Sequence, residues 1–262
     1  MDDVDLLRYS RHLLLDEFGV EGQARASTAH VVIVGLGGLG SPVALYLAAA
    51  GIARITLIDD DVVDLTNLQR QIVHTHADIG RLKAQSAADA LTRVNPQVRV
   101  EAETWRVECD RLVERFADVS LLIDCSDNFL TRHAINAACV RMRVPLVSGS
   151  ALRFDGQVLV FDARDPVSPC YACVFPPEPV PEETRCALMG VFSPLVGVIG
   201  TLQASEALKL ICRIGKPPIG KMLLFNALHT EFETLLFARN PDCPVCGNHL
   251  GAHRHRRVSP AA

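Results

Sequence analysis

Three groups of residues in this sequence have types and spacings that do chemistry. The first is the run Gly35-Leu36-Gly37-Gly38-Leu39-Gly40, followed by Asp59. Glycines so spaced let backbone N–H groups approach a phosphate, whose charge a helix N-terminus favours. An acid closing the next strand is placed to accept hydrogen bonds from a ribose. The pattern predicts a nucleotide site, without separating a redox dinucleotide from ATP. The second group is Asp61, Thr66-Asn67-Leu68-Gln69-Arg70, Lys83 and Asp127-Asn128. Arg70 and Lys83 suit a reaction whose departing pyrophosphate must be neutralised, and equally suit ordinary surface cations. Asp127 suits Mg²⁺ carried on substrate phosphates, or the N-cap of a helix starting near Phe129, or both.

The third group is thiols. The sequence has nine cysteines, an odd number that argues against a fully paired disulfide framework. Cys170-Tyr171-Ala172-Cys173 and Cys243-Pro244-Val245-Cys246 are two C-x-x-C pairs. Together they supply the four thiolates of a closed, tetrahedral Zn²⁺ site that would clip distant segments; a redox dithiol is the competing reading. Cys186 follows Arg185, which would lower its pKa, so it is either a reactive thiol or an incidental loop cysteine. Cys109, Cys125, Cys139 and Cys212 fall in apolar or helical surroundings and read as packing thiols.

Periodicity supplies the elements that must position these groups. A leading helix is expected over Val4–Phe18. Strands follow at His30–Val34, Arg54–Asp59, Val98–Ala102, Ser120–Asp124 and Pro145–Ser148, with helices from the glycine run to Ala50, at Gly80–Val94 and at Phe129–Arg143. That alternation predicts an α/β fold, a doubly wound, Rossmann-like, mostly parallel sheet. Beyond Gly149 the strands Gln157–Asp162, Met222–Asn226 and Glu231–Phe237 lack crossover helices throughout, which predicts an antiparallel extension around a helix near Leu195–Cys212. The chain reads as one domain over 1–250, with a nucleotide half (1–150) and a zinc-bearing half (151–250), before a disordered tail, 251–262.

Composition sets the remaining bounds. Apolar residues make up 49% and aromatic ones 5%, the balance of helices packed on a Val/Ile/Leu-rich sheet. A formal charge of −4 gives no global case for nucleic acid or an acidic membrane, and neither is expected as a partner. The acidic start Met1-Asp2-Asp3-Val4-Asp5 lacks the pattern of a secretory signal, and the uncharged stretch Ala187–Ser205 reads as a buried helix rather than a membrane span. A cytoplasmic protein with reduced thiols is expected.

Arg8-Tyr9-Ser10-Arg11, the glycine run, Asn67-Leu68-Gln69-Arg70-Gln71, Lys83, Asp124-Cys125-Ser126-Asp127-Asn128 and the paired cysteines together resemble the MoeB/ThiF/HesA family, bacterial relatives of the ubiquitin-activating enzymes. Within it the pattern is most similar to the molybdopterin-synthase adenylyltransferases, and sulfur-carrier adenylyltransferases for thiamine or tRNA thiolation look similar too. The resemblance implies a homodimer that binds ATP·Mg²⁺ and adenylates the C-terminal glycine of a small ubiquitin-fold sulfur-carrier protein of the Gly-Gly type. It implies nucleotide contacts from Gly38 and Asp59, phosphate contacts from Asn67, Arg70 and Lys83, and a magnesium end at Asp127 with Asn128. It further implies that Arg11 reaches into the partner subunit, that the four paired cysteines bind zinc, and that Cys186 matches a cysteine catalytic in some members only.

Chemistry supports this independently. A C-terminal carboxylate, pKa ~3.3–3.7, is ionised at neutral pH and needs no general base. The obstacle is repulsion between two anions, which cationic clamps and a metal answer and a Ser/His/Asp triad would not. An NAD-dependent oxidoreductase would share the glycine run and Asp59 while leaving Arg70, Lys83 and Asp127 unexplained. A non-catalytic scaffold binding a ubiquitin-fold partner would have no use for those three.

Overall fold

The computed structural model describes residues 2–178 and 189–247. Cys186 and the 251–262 tail lie outside the described residues.

Five parallel strands form the first half of the sheet: β1 (His30–Val34), β2 (Arg54–Ile58), β3 (Arg99–Glu103), β4 (Leu121–Asp124) and β5 (Pro145–Leu152). Three antiparallel strands extend it: β6 (Asp155–Asp162), β7 (Lys221–Asn226) and β8 (Glu231–Leu236). The spatial order is β3-β2-β1-β4-β5-β6-β7-β8. The mostly parallel, doubly wound sheet with an antiparallel extension is therefore as expected. Chain direction of travel reverses between β1 and β4, which opens a crevice at their carboxyl ends, where ligands of such sheets bind.

β1 is buried on both faces, and its alternation divides the core. Val31 and Ile33 face the cluster that includes Val43 and Leu47 of α4 (Gly40–Ala49), Leu91 of α5 (Lys83–Val94) and Ile199 of the long helix Ser193–Cys212. Val32 and Val34 face the cluster built from Leu112 of α6 (Cys109–Arg115) and Ile135 of α7 (Phe129–Met142). The one-turn helix α8 (Tyr171–Val174) joins this second cluster through Tyr171. Ser193–Cys212, α9, is long and apolar enough to cross a membrane by length and composition, but it packs against α4, β5 and β6 as the sheet's own covering helix.

The N-terminus departs from the single helix expected over Val4–Phe18. The chain forms α1 (Asp3–Arg8), α2 (Ser10–Leu13) and, after a turn, α3 (Gly19–Ala26). The break falls at Tyr9, which turns inward: its ring is buried against Gly51, and its hydroxyl accepts a hydrogen bond from Asn95 Nδ2 at 3.0 Å. A straight helix would leave that ring in water, so burial of one aromatic side chain overrides local helical periodicity. The helix expected from Gly80 begins at Lys83 instead, because Gly80 has φ +85° and Leu82 pairs in a bridge with Val62.

Candidate active site

The glycine run joins β1 to α4. Gly35 has φ +89°, and a Cβ there would lie 2.7 Å from the Cys125 carbonyl oxygen at the end of β4. At Gly40 a Cβ would meet the Gly35 carbonyl at 1.9 Å, so the turn closes only without side chains at both ends. Gly38 abuts Val196 of α9, whereas a Cβ on Gly37 would meet nothing nearer than Gln71 Nε2 at 3.6 Å. The backbone of Gly37 thus faces the crevice, in keeping with a phosphate-binding turn.

Asp59, just beyond β2, already works within the protein. Its Oδ2 accepts the Leu36 N–H at 2.6 Å and its Oδ1 accepts the Asp61 N–H at 2.9 Å. Each oxygen keeps a second lone pair for a hydroxyl. Burial pushes the Asp59 carboxyl above the usual carboxylate range, against the opposing pull of the Leu36 N–H and of Lys83.

Lys83 is the first residue of α5, almost wholly buried, and its Nζ donates to Asp61 Oδ2 at 2.5 Å. Burial raises the Asp61 carboxyl, but the Lys83 ammonium and the Val62 N–H outweigh it and hold the group below its ordinary value. The segment between these residues carries the other expected phosphate ligands. Asp64 caps a short 3-10 turn, Leu65–Asn67, by accepting the Thr66 N–H, and Asn67 Nδ2 donates to the Thr66 hydroxyl. Leu68 closes that turn, and the Gln69 carbonyl is tied to Ser193 Oγ at the start of α9. Arg70 donates only to the Thr66 carbonyl, at 3.1 Å, and is paired with no acid among the described residues. Of the two cations, Lys83 is therefore latched to an acid and Arg70 is available.

At the end of β4 the two acids differ sharply. Asp124 is buried, accepting the Ser126 N–H at 3.0 Å, the Ser126 hydroxyl at 2.6 Å and the Ser148 hydroxyl at 2.7 Å. Gln203 of α9 grips its carbonyl at 2.8 Å. Asp127 is exposed and makes no hydrogen bond or ion pair among the described residues. The N-cap of α7 is Asn128, whose Oδ1 accepts the Thr131 N–H at 2.8 Å, so Asp127 is spared the capping role that the sequence left open to it. Arg11 stands apart on α2, at a cleft of about 180 Å³ shared with Tyr9, His12 and Tyr46 of α4. It is not brought to the glycine run of its own chain.

The four paired cysteines come together, with all four sulfurs within 4.8 Å of one another. Cys170 and Cys173 are 3.9 Å apart, Cys170 and Cys243 3.6 Å, and Cys173 and Cys246 3.5 Å. A disulfide would need ~2.05 Å, whereas the edge of a tetrahedron of sulfurs ~2.3 Å from a zinc ion is about 3.8 Å. The spacing excludes a formed disulfide, and the convergence of four sulfurs rather than two fits a tetrahedral metal site. Burial pushes the Cys246 thiol up to about 11 and Cys170 higher still. At Cys173 burial acts the same way but is outweighed by N–H donors from Cys170 and Asn240. Clustered thiolates in so apolar a place need a cation to balance them.

The pattern of the ThiF family matches residues 9–245. This chain belongs to the ThiF family. Molybdopterin-synthase adenylyltransferase of Salmonella typhimurium is 43% identical over 94% of this chain and 98% of its own length. SAMP-activating enzyme E1 of Haloferax volcanii is 44% identical over 94% of this chain and 91% of its own. Sulfur carrier protein ThiS adenylyltransferase of Escherichia coli is 44% identical over 94% and 97%. Among solved structures, E. coli MccB with ATP superposes with a TM-score of 0.79 at 25% identity, covering 92% of this chain and 75% of that one.

In this ThiF-family chain the structure adds residues that the sequence did not single out. His74 is buried; its Nε2 donates to the Leu36 carbonyl at 3.1 Å while its Nδ1 accepts the Ser86 hydroxyl of α5 at 2.8 Å. Burial holds its imidazole below the usual value, which favours the neutral form with its proton on Nε2. Leu36 is thus gripped from both sides, its N–H by Asp59 and its carbonyl by His74. Gln71 is also buried, beside Gly37, with an Oε1 that has no partner among the described residues. Gln71 closes the Asn67–Gln71 motif read from the sequence, which gave it no role of its own, whereas His74, three residues on, carried no local signal.

Proposed function

We propose that this protein uses ATP to adenylate the C-terminal glycine of a small ubiquitin-fold sulfur-carrier protein, releasing pyrophosphate. The observation that carries the reading is the state of three side chains of the segments that follow β2 and β4: Arg70 paired with no acid among the described residues, Lys83 buried on Asp61, and Asp127 exposed with no hydrogen bond among the described residues. A hydride-transfer site would have no use for that set. An acyl-phosphate-forming site does, since charge on two anions must be offset while they react.

A carrier carboxylate oxygen bonds to the α-phosphorus as the bond from that phosphorus to the bridging oxygen of pyrophosphate breaks. No proton moves, which agrees with a site lacking an evident general base. Gly35, Gly37, Gly38 and Gly40 shape the phosphate turn, Asp59 and Asp61 flank the ribose end, and Thr66, Asn67, Leu68 and Gln69 line the approach. Arg70 and Lys83 would take the phosphates, Lys83 leaving Asp61 to do so. Asp127 with Asn128 would hold Mg²⁺, whose chemistry is to screen phosphate charge and polarise the reacting group. Arg11, beside the end of α4 opposite the glycine run, fits a homodimer in which it serves the partner's site. Exposed Phe232 and Leu236, on one face of the edge strand β8, suit the protein substrate. The four cysteines are read as a zinc clip within a single adenylating unit. Cys186 is read as unnecessary for adenylation, with any role of its thiol in a later transfer step.

The names of several relatives favour molybdenum-cofactor biosynthesis as the pathway; a cytoplasmic setting rests on the acidic N-terminal sequence, which lacks the pattern of a secretory signal. Thiamine or tRNA thiolation is the second reading, favoured by the sulfur-carrier relatives. The test is carrier-dependent exchange of labelled pyrophosphate into ATP, using each ubiquitin-fold carrier of the source organism in turn. Exchange with a molybdopterin-synthase carrier supports the first pathway and exchange with a thiamine carrier the second. Failure with all of them refutes the activity.

A further inference from the structure

The sheet face that carries α7 has a cavity at the amino end of β5, away from the crevice. α7 stops at Met142 because Arg143 takes the left-handed conformation, φ +57°, and Val144-Pro145 turn at once into β5. After β6 the chain is held in a short loop by Ser168, whose Oγ accepts the Asp162 N–H at 3.1 Å and donates to the Pro169 carbonyl at 2.9 Å. Between these turns and the cysteine cluster, Ala163 and Gly247 contribute little side chain, and a cavity of about 380 Å³ is left. That exceeds the voids of ordinary packing and falls within the size of small-molecule sites.

Its floor is apolar: Cys139 and Val140 of α7, Leu146 of β5 and Phe161 of β6. Its rim is charged unevenly. Arg143 and Arg239 line it against one acid, Asp165, whose Oδ1 already accepts the Val167 N–H at 3.0 Å. Arg239 donates to the Pro166 and Cys246 carbonyls, which fixes its guanidinium, while its Nε is buried with no partner among the described residues. The Arg143 side chain is exposed and engages no acid among the described residues. A buried guanidinium N–H without an acceptor calls for one, and an anion satisfies it best. The cysteine cluster's own charge is met by other donors, Asn136 Nδ2 at Cys170 and the Asn240 N–H at Cys173.

We propose that this cavity binds a small organic anion, a carboxylate on a short apolar body. The carboxylate meets Arg239 and Arg143, and the body lies on the Val140, Leu146 and Phe161 floor. The site is separate from the adenylation reading. It lies at the C-terminal turns of α7 and Asp127 just before the other end, and that helix of 14 residues is about 21 Å long.

The test is isothermal titration calorimetry of the full, metal-loaded chain with sodium octanoate, and with octanol as the uncharged comparison. Octanoate should bind saturably, one per chain, at least tenfold tighter than octanol, and saturating ATP should leave its affinity unchanged. Val140→Phe, which fills the floor, should abolish binding while Tm and metal content stay those of the parent. Ala163→Leu fills the same space from the loop side and decides the matter should Val140→Phe fail to fold. Arg143→Gln should weaken octanoate at least tenfold and leave octanol unaffected. Phe232→Ser, on the exposed face of β8, should not alter octanoate binding. Octanoate that fails to saturate, competes with ATP, binds no better than octanol, or binds the filled variants as it binds the parent overturns the proposal. So does loss of binding in Phe232→Ser, which would put the probe on the sheet edge. The readout involves no turnover, so failure of pyrophosphate exchange would refute the proposed activity and leave this site to be decided by its own titration.

Discussion

His74→Leu removes both hydrogen bonds of a buried imidazole while keeping an apolar side chain of related size. Ser86 sits inside α5, and its hydroxyl can turn to the carbonyl one helical turn back, so it finds a new partner. The Leu36 carbonyl cannot, because Leu36 is fully buried. One stranded buried carbonyl costs ~1–3 kcal/mol. For a chain of this size that lowers Tm by roughly 2–12 °C, at about 2–4 °C per kcal/mol. The stranded group is also half of the clamp on the phosphate turn, so a loss near 1.4 kcal/mol reaching the nucleotide raises the KM for ATP about tenfold. Arg70, Lys83 and Asp127 are untouched, and kcat for pyrophosphate exchange should stay within about twofold of the parent. His74→Gln, which retains an N–H donor, should recover most of both losses. Acid pH provides a second check. A histidine whose folded pKa lies below its unfolded value binds protons more readily unfolded, so stability is full above ~6.5 and declines as pH falls through that value. His74→Gln should flatten that decline by its own share, with His30 and His133, also held low by burial, supplying the rest. A His74→Leu protein with the parent's Tm and KM for ATP would refute the clamp.

Asp127→Ala should leave the unfolding free energy within ~0.5 kcal/mol of the parent while cutting pyrophosphate exchange at least ~100-fold. Asn128→Ala should instead cost ~0.5–2 kcal/mol in thermal unfolding as a lost N-cap, and a reversal of that stability pattern would show the two assignments to be wrong. Asp61→Asn strips Lys83 of its counter-charge, costing between the ~1 kcal/mol of an exposed pair and the ~3 kcal/mol of a buried one. Because ATP phosphates would then supply the missing anion, the rise in Tm on adding ATP should be larger than in the parent; an equal or smaller rise contradicts the exchange of partners at Lys83. Asp78 is buried; burial raises its carboxyl, but Thr75 and Arg81 outweigh it and hold it at about 2. Its contribution is complete above the unfolded value of 3.8 and is lost as pH falls toward 2, so Asp78→Asn should flatten the fall in Tm across that range.

Much of this was legible in the sequence because the groups concerned announce themselves locally. The glycine run must follow a strand and open a helix, and the C-x-x-C pairs must present sulfurs one turn apart. Both constraints live within a few residues. The doubly wound, mostly parallel sheet was legible for the same reason, since β-α alternation with short crossovers leaves few topologies. What stayed hidden acts over long separations. Tyr9 breaks the first helix only because Asn95 and Gly51 make a place for its ring. His74 joins Leu36 to Ser86, and Gln203 reaches back to Asp124 from α9. None of these residue types is distinctive alone, and no spacing rule brings their partners together.

Asp124 and Asp127 show how the same residue type divides between structure and chemistry. Two acids at one strand end read alike in sequence. Asp124 has three donors aimed at it and sits in the core, so its charge is spent on holding the β4–β5 edge. Asn128 takes over the capping duty that Asp127 would otherwise perform. An exposed carboxylate with no donor among the described residues, beside the partly buried Arg132 guanidinium, gains little stability from being there. On the proposed reading its worth appears only when a cation carried by ATP arrives. The side chains that make that possible are the ones already committed elsewhere: Asp124 fixes the strand end, Arg132 fixes the Ser126 peptide through its carbonyl, and Asn128 frees the acid between them.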